Sequence, residues 1–270
     1  MRRLSKLSIE PKAAIHPVSS MRVGEFNFFF TYHRGTKPLT IVIIHGLGGA
    51  KEEFVKILNY PNLKEYNILI PDLVGFGDTS APEGFGFKMV DQAQAVRQLM
   101  EALKIEGGVV LIPQSMGGPI GLLLAENIRE LVKGIVWCEG VVDLGDCPSS
   151  SQLINSSLED WVATGYSVVL SRLQGVLHES VQKAGPLSIY FSAVDLVNVA
   201  KEDTTVGRLK RLGVPVLVIY GEQNKGKFES ERKLGEFFPL IFIPEAGHDM
   251  MTDNPDAFYH VVANFLSQLK

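Results

Sequence analysis

Residues 109–126 read VVLIPQSMGGPIGLLLAE, and the change of character inside that stretch decides the fold. Residues 109–112 are an unbroken β-branched and leucine run, which suits a strand buried on both faces. Residues 119–128 read as helix. Between them lies Pro113-Gln114-Ser115-Met116-Gly117-Gly118, a junction short enough to demand a sharp turn from strand into helix. A serine held at such a turn has a strained backbone and a hydroxyl that stands clear of the sheet, and a glycine two positions later lets the helix pack close. The serine also sits at a helix N-terminus, where the amide of Met116 points at charge developing on an attacked carbonyl. The bland alternative is a serine that only caps a helix. Pro113 departs from the G-x-S-x-G pattern. It has no N–H and removes one ladder bond from a central strand, a loss best accommodated at the last residue of that strand.

Outward from this junction the same rhythm repeats. Residues 22–33 are aromatic-rich and extended, as in a hairpin strand, and 39–44 form a buried strand ending at His45-Gly46-Leu47-Gly48-Gly49. The pattern then predicts a helix over 51–58, a strand over 66–70 ending in Pro71-Asp72, and an amphipathic helix over 90–103. Strands follow at 134–138, 214–220 and 240–243, and a helix at 255–269 that opens with Pro255 and is capped by Asp253 or Asn254. Strands alternating with helices specify an α/β fold with a mostly parallel sheet flanked by helices. Residues 143–203 break the alternation. They hold no buried strand, and segments such as 161–176 look helical. That stretch is too long and too apolar for a loop, so the expected division is a core of 1–142 and 204–270 with a helical cap or lid inserted at 143–203.

Composition narrows the function class. A chain of 270 residues that is 46% apolar can bury a large core. Its formal net charge is −4 and it has no long basic run, so nothing electrostatic points to a nucleic-acid partner. The two cysteines, Cys138 and Cys147, form neither CxxC nor a zinc-ligand pattern. They read as free thiols in a reducing compartment. The opening MRRLSKLSIEPK is basic but leads into no apolar run of signal-peptide length, and no stretch reaches the roughly 18 apolar residues of a membrane span. The expectation is a soluble, cytoplasmic protein.

Ligands of open α/β sheets bind at the carboxyl ends of the strands. The glycine-rich turn after residue 44 lets a main-chain amide, that of Leu47, enter the pocket as a second oxyanion donor beside Met116. After the last strand comes Pro244-Glu245-Ala246-Gly247-His248-Asp249. A histidine there fits the chain order nucleophile, acid, histidine. His45 is placed to shape the oxyanion turn, whereas His16, His33, His178 and His260 have no comparable context.

The segments VIIHGLGGA (42–50), IPDLVGFGDTSAP (70–82), LIPQSMGGPIGLLLAE (111–126), VPVLVIYGEQN (214–224) and IPEAGHDMMTDNPDAF (243–258) resemble the α/β-hydrolase family in content, order and spacing. The resemblance covers nearly the whole chain outside 143–203. It implies an eight-stranded, mostly parallel sheet, a helical cap after the sixth strand, and no metal or organic cofactor. It also implies Ser115 as nucleophile, His248 as general base, and the Leu47 and Met116 amides as the oxyanion hole. Asp72 reads as a residue that holds its turn through backbone hydrogen bonds.

The acid departs from the family pattern. Most members carry an aspartate after the seventh strand, where this chain has Asn224 in Gly221-Glu222-Gln223-Asn224. An amide does not stabilise an imidazolium as a carboxylate does. The acid is therefore expected after the sixth strand, at Glu139, as in haloalkane dehalogenases. The alternatives are Glu222 or an incomplete triad. Dehalogenase chemistry itself needs a carboxylate nucleophile, and residue 115 is serine. The leading expectation is an esterase that cleaves a small or medium carboxylic ester through an acyl-enzyme. The alternatives are a carbon–carbon bond hydrolase or another acyl hydrolase on the same scaffold, and a receptor-like binding member with little turnover. Trp161, Tyr166, Leu170, Leu173, Tyr190 and Phe191 either shape an apolar cavity under the cap or pack the cap on itself and on the sheet.

Overall fold

The computed structural model describes residues 18–269; His16 and the basic start of the chain lie outside the described residues. Eight strands form one sheet in the order β1-β2-β4-β3-β5-β6-β7-β8: β1 (Val18–Val23), β2 (Phe26–His33), β3 (Thr40–Ile44), β4 (Asn67–Pro71), β5 (Val109–Pro113), β6 (Val132–Cys138), β7 (Val216–Gly221) and β8 (Leu240–Ile243). β2 runs antiparallel to β1 and β4, and every pair from β4 through β8 is parallel.

The α-helices are α1 (Met89–Ala102), α2 (Gly117–Asn127), α3 (Pro148–Leu153), α4 (Leu158–Asp160), α5 (Tyr166–Leu170), α6 (Gly175–Lys201), α7 (Thr205–Leu212), α8 (Glu229–Gly235), α9 (Met250–Asp253) and α10 (Pro255–Gln268). The period-two alternation of the strands divides the core into two faces. Val42, Ile44, Val109, Leu111 and Trp137 pack with Val96 and Leu99 of α1 and with Ile120 and Leu124 of α2. Ile41, Ile43, Val110, Ile112, Val136 and Cys138 pack on the other side with Phe258, Val262 and Leu266 of α10. Asn254 caps α10, its side-chain oxygen accepting the Ala257 amide at 3.1 Å.

The helix expected over 51–58 is instead a pair of 3₁₀ turns, Lys51–Glu53 and Val55–Asn59. Phe54 and Ile57 are wholly buried there, and 3₁₀ geometry places residues three apart directly above one another. Lys51 is fixed in the interior as well, its ammonium 2.7 Å from Asp72 with both side chains at zero exposure. Asp72 also accepts the Lys51 amide at 2.8 Å and the Asp78 amide at 2.9 Å, so its turn-holding role joins a buried ion pair. Asp78, at 2.7 Å, and Glu52, at 2.9 Å, complete the cation's partners.

Residues 143–203 carry helices and no strand. The segment 161–176, read as helical, holds two separate helical pieces. A π-helical turn at Trp161–Gly165 runs into α5, and α6 begins afresh at Gly175, where φ is +59°. α6 is itself two helices meeting at Gly185, where φ is +74° and Pro186 follows. Proline is tolerated there because it opens the second helix. This region is tied to the core by Asp195, which accepts the Met89 amide at 2.7 Å, and by Lys183, 2.7 Å from Asp78. Among the described residues no helix is long and apolar enough to cross a membrane.

Candidate active site

Pro113 is the last residue of β5, paired with Ile44, and the ladder resumes at once with the Gln114 amide donating to Ile44 at 2.9 Å. The lost bond is therefore confined to the strand end. The proline ring lies against α2 at Gly121, where an added Cβ would come within 2.8 Å of it. Next in the chain, Ser115 adopts φ +54°, a left-handed conformation that costs about 1–3 kcal/mol for a non-glycine residue. Three hydrogen bonds hold it: the Ser115 amide to Cys138 at 3.1 Å, and the amides of Gly118 and Val141 to the Ser115 carbonyl at 2.8 and 3.1 Å. Gly117 packs so closely under β3 that a Cβ would sit 2.3 Å from the Ile44 carbonyl.

The turn after β3 closes over this serine. A Cβ on Gly46 would fall 2.9 Å from the Ser115 Cβ and 2.5 Å from Gln114 Oε1. Gly46→Ala should therefore displace Ser115 and lower the kcat of any reaction that serine carries by about 10²-fold, with little change in the far-ultraviolet spectrum. Gly48 adopts φ +75° and lies under Val181 of α6. Among the described residues the amides of Leu47 and Met116 donate no hydrogen bond within the protein. His45 shapes the turn from beneath. It is wholly buried, accepts the Leu73 amide on Nε2 at 3.0 Å and so donates from Nδ1 to Gly46 at 2.9 Å. Burial lowers its pKa, which keeps the ring neutral.

Glu139 follows β6 with φ +41°, its amide bonded to Ile219 of β7 at 3.0 Å. Its carboxylate, 2% exposed, receives His248 Nδ1 at 2.6 Å. It also accepts the Gly221 amide at 2.7 Å and the Asn224 side-chain amide at 3.1 and 3.0 Å on its two oxygens. Asn224 thus faces the carboxylate rather than the imidazole. Glu222 accepts the Glu245 amide at 3.2 Å on the exposed side of the loop and makes no bond to His248. Burial works against charge on His248, but the Glu139 hydrogen bond and charge, with the charges of Asp249 and Glu53, outweigh it and raise the imidazole pKa above its ordinary value.

Ser115 and His248 line one cavity of about 430 Å³. From 143–203 it is lined by Leu177 and Leu196 of α6, Asp146 and residues 147–150, while the side chains singled out there follow the packing alternative. Trp161 donates to the Pro186 carbonyl at 2.8 Å, Tyr190 to the Ser156 carbonyl at 3.1 Å, and Phe191 stacks on Phe87. Gln114, Glu53, Asp146 and Asp249 also line the cavity, and the sequence reading did not single them out. Asp249, beside His248, was the one with a positional signal. Burial, followed by the charge of Asp249, pushes the Glu53 carboxyl up to about 8. Burial likewise raises Asp249. Among the described residues no cluster of histidine, cysteine and carboxylate side chains is arranged to hold a metal ion.

The mostly parallel eight-stranded sheet carries a strained serine after its fifth strand and a histidine after its last, both at strand carboxyl ends. The chain belongs to the α/β-hydrolase fold family, whose model matches residues 40–183. It is 26% identical over 231 residues to Lipase 3 of Moraxella sp. (strain TA144), covering 79% of this chain and 72% of that one. It is 24% identical over 250 residues to Lipase 1 of Psychrobacter immobilis, covering 82% and 77%. The crystal structure of a putative lipase from Acinetobacter baumannii AYE superposes with a TM-score of 0.76 at 19% identity, covering 93% and 91%.

Proposed function

We propose that the protein is a serine hydrolase that cleaves a small or medium carboxylic ester through an acyl-enzyme. The observation that carries this reading is the 2.6 Å bond from His248 Nδ1 to Glu139, in a cavity that also exposes Ser115. With Nδ1–H directed at the carboxylate, Nε2 is left as the base. Ser115 Oγ attacks the ester carbonyl while Nε2 takes its proton, and the imidazolium is stabilised by Glu139. The amides of Leu47 and Met116, with no partner inside the protein, receive the oxyanion. Nε2 then protonates the leaving alcohol, and water activated by the same nitrogen hydrolyses the acyl-enzyme. Asn224 acts by holding Glu139, donating to both of its oxygens. Residues 143–203 act as the cap, with Leu177 and Leu196 bounding the pocket. A cavity of about 430 Å³ falls at the lower end of the range for small-molecule sites, in keeping with a modest ester.

A fluorophosphonate probe tests the assignment. The wild-type chain should be labelled once per molecule, and Ser115→Ala not at all, as read by intact mass. Folded wild-type protein that stays unlabelled overturns the enzyme reading in favour of a binding member of the family.

A further inference from the structure

The cavity beside Ser115 has a one-sided charge lining. Among the described residues Glu53, Asp146 and Asp249 face it, and no lysine or arginine does. Asp146 is committed elsewhere, accepting the Val142 amide at 2.7 Å, the Asp143 amide at 3.2 Å and the Ser230 hydroxyl. Glu53 accepts only the Ala50 amide, at 3.3 Å, on one oxygen. Its other oxygen lies against the oxyanion turn, 2.9 Å from where a Gly49 Cβ would be. The Asp249 carboxylate accepts no hydrogen bond among the described residues. It feels only burial and neighbouring charges, His248 among them.

A second observation is independent of these acids. Gln114, next to the nucleophile, is only 3% exposed and lines the cavity, yet its side-chain amide makes no hydrogen bond among the described residues. The amide opens onto the cavity and is not sealed in protein, since among the described residues only Thr31 Oγ1 is a fully buried side-chain atom without a partner. A ligand that bonds it is favoured over one that covers it and leaves it unpaired. Three polar groups with unused acceptor capacity, two of them carboxyls, therefore converge on the space an ester substituent would fill.

We infer that the site is selective for esters whose acyl or alcohol chain carries a protonated primary amine, with Glu53 and Asp249 receiving the ammonium and Gln114 completing its hydrogen bonds. The inference rests on the serine-hydrolase reading of the same cavity. The charges that raise Glu53 come from Asp249 in the loop after β8, Glu52 in its own turn and Asp72 at the end of β4, while the Ala50 amide lowers it and His248 is the cationic group it interacts with. Burial and the charge of Asp249 hold the Glu53 carboxyl up at about 8, and a cation seated against the pair favours its ionised form. A carboxylate-bearing substrate meets the Asp249 charge with no lysine or arginine among the described lining residues to relieve it.

The test uses three 4-nitrophenyl esters of matched length, made from 6-aminohexanoate, heptanoate and adipate. The expected order of kcat/KM is ammonium above neutral above carboxylate, with about tenfold or more between the first and the last. In Glu53→Gln/Asp249→Asn the ratio of ammonium to neutral ester should fall toward one. Equal rates for the ammonium and neutral esters in the wild type, or an unchanged ratio in the double variant, overturn the inference while leaving the hydrolase reading intact. If none of the three esters turns over, the hydrolase reading fails. The inference is then decided by calorimetry with the matching N-butyl amides. Tighter binding of the ammonium amide than of the neutral one supports it, and equal binding overturns it.

Discussion

Glu139→Gln lowers kcat for a neutral aryl ester by about 10⁴-fold, the scale seen when the orienting carboxylate of a serine protease becomes an amide. The reason here is a count of donors. His248 Nδ1, the Gly221 amide and the Asn224 side-chain amide all direct N–H groups at the Glu139 carboxylate. A carboxylate accepts on both oxygens, whereas a glutamine accepts on one and presents an NH₂ group to the remaining donors. One donor pair must then collide, and the imidazole loses its tautomer, its orientation or both. The pH profile separates this from a loss of folding. In the proposed mechanism deprotonated His248 is the active form, so kcat/KM should rise with pH through its pKa, which Glu139 raises above the ordinary histidine value. Without that charge burial, the largest single influence, is opposed only by the charges of Asp249 and Glu53, so the rising limb of the residual activity moves to lower pH. Glu222→Gln should leave both kcat and the limb in place. If Glu139→Gln keeps wild-type turnover, the acid lies elsewhere.

Asp72→Ala should lower unfolding free energy by about 3 kcal/mol, at the lower end for breaking a buried ion pair. Lys51 and Asp72 are both at zero side-chain exposure. The change deprives a buried ammonium of one partner and removes the acceptor of the Lys51 and Asp78 amides. Asp78 and Glu52 still face the ammonium, which keeps the loss from being larger. Burial opposes the charge on Lys51 and Asp72 supplies the largest influences that raise its pKa, so the variant leaves the burial penalty opposed by Asp78 and Glu52 alone. Urea denaturation reads the effect as a lower midpoint at unchanged slope. Lys51→Met combined with Asp72→Leu should be less damaging than Asp72→Ala alone, because no unpaired charge remains. A double variant as unstable as the single one would locate the loss in the turn rather than in the ion pair.

The strand at 109–112, the turn through Ser115 and the helix behind it were legible because local pattern sets them: a β-branched run, a proline at the strand end and glycines where the backbones nearly touch. The turns at 51–59 were not, because their geometry answers to Asp72, a carboxylate twenty-one residues on from Lys51. Between Glu139 and Glu222 the sequence gives only neighbouring strand ends. Side-chain direction separates them: Glu139 points inward at His248, while Glu222 turns out to the Glu245 amide. The cavity lining was least legible. Leu177, Leu196 and residues 147–150 belong to a region without motifs, and the more conspicuous Trp161 and Tyr190 bond back onto their own segment. Asn224 was noticed as a departure, but its role as a donor to Glu139 depends on a contact across 85 positions of chain.

That contact also limits how the chain can vary. Aspartate at 224 would set a second carboxylate against Glu139 and withdraw a donor at the same time. Glutamine at 139 would bring two amide NH₂ groups together. Either change alone is penalised, whereas the exchange of both, an acid at 224 with a non-acid at 139, restores a single carboxylate near the histidine. Descendants and cousins of this sequence should therefore show positions 139 and 224 drifting as a couple, each recording the other's history.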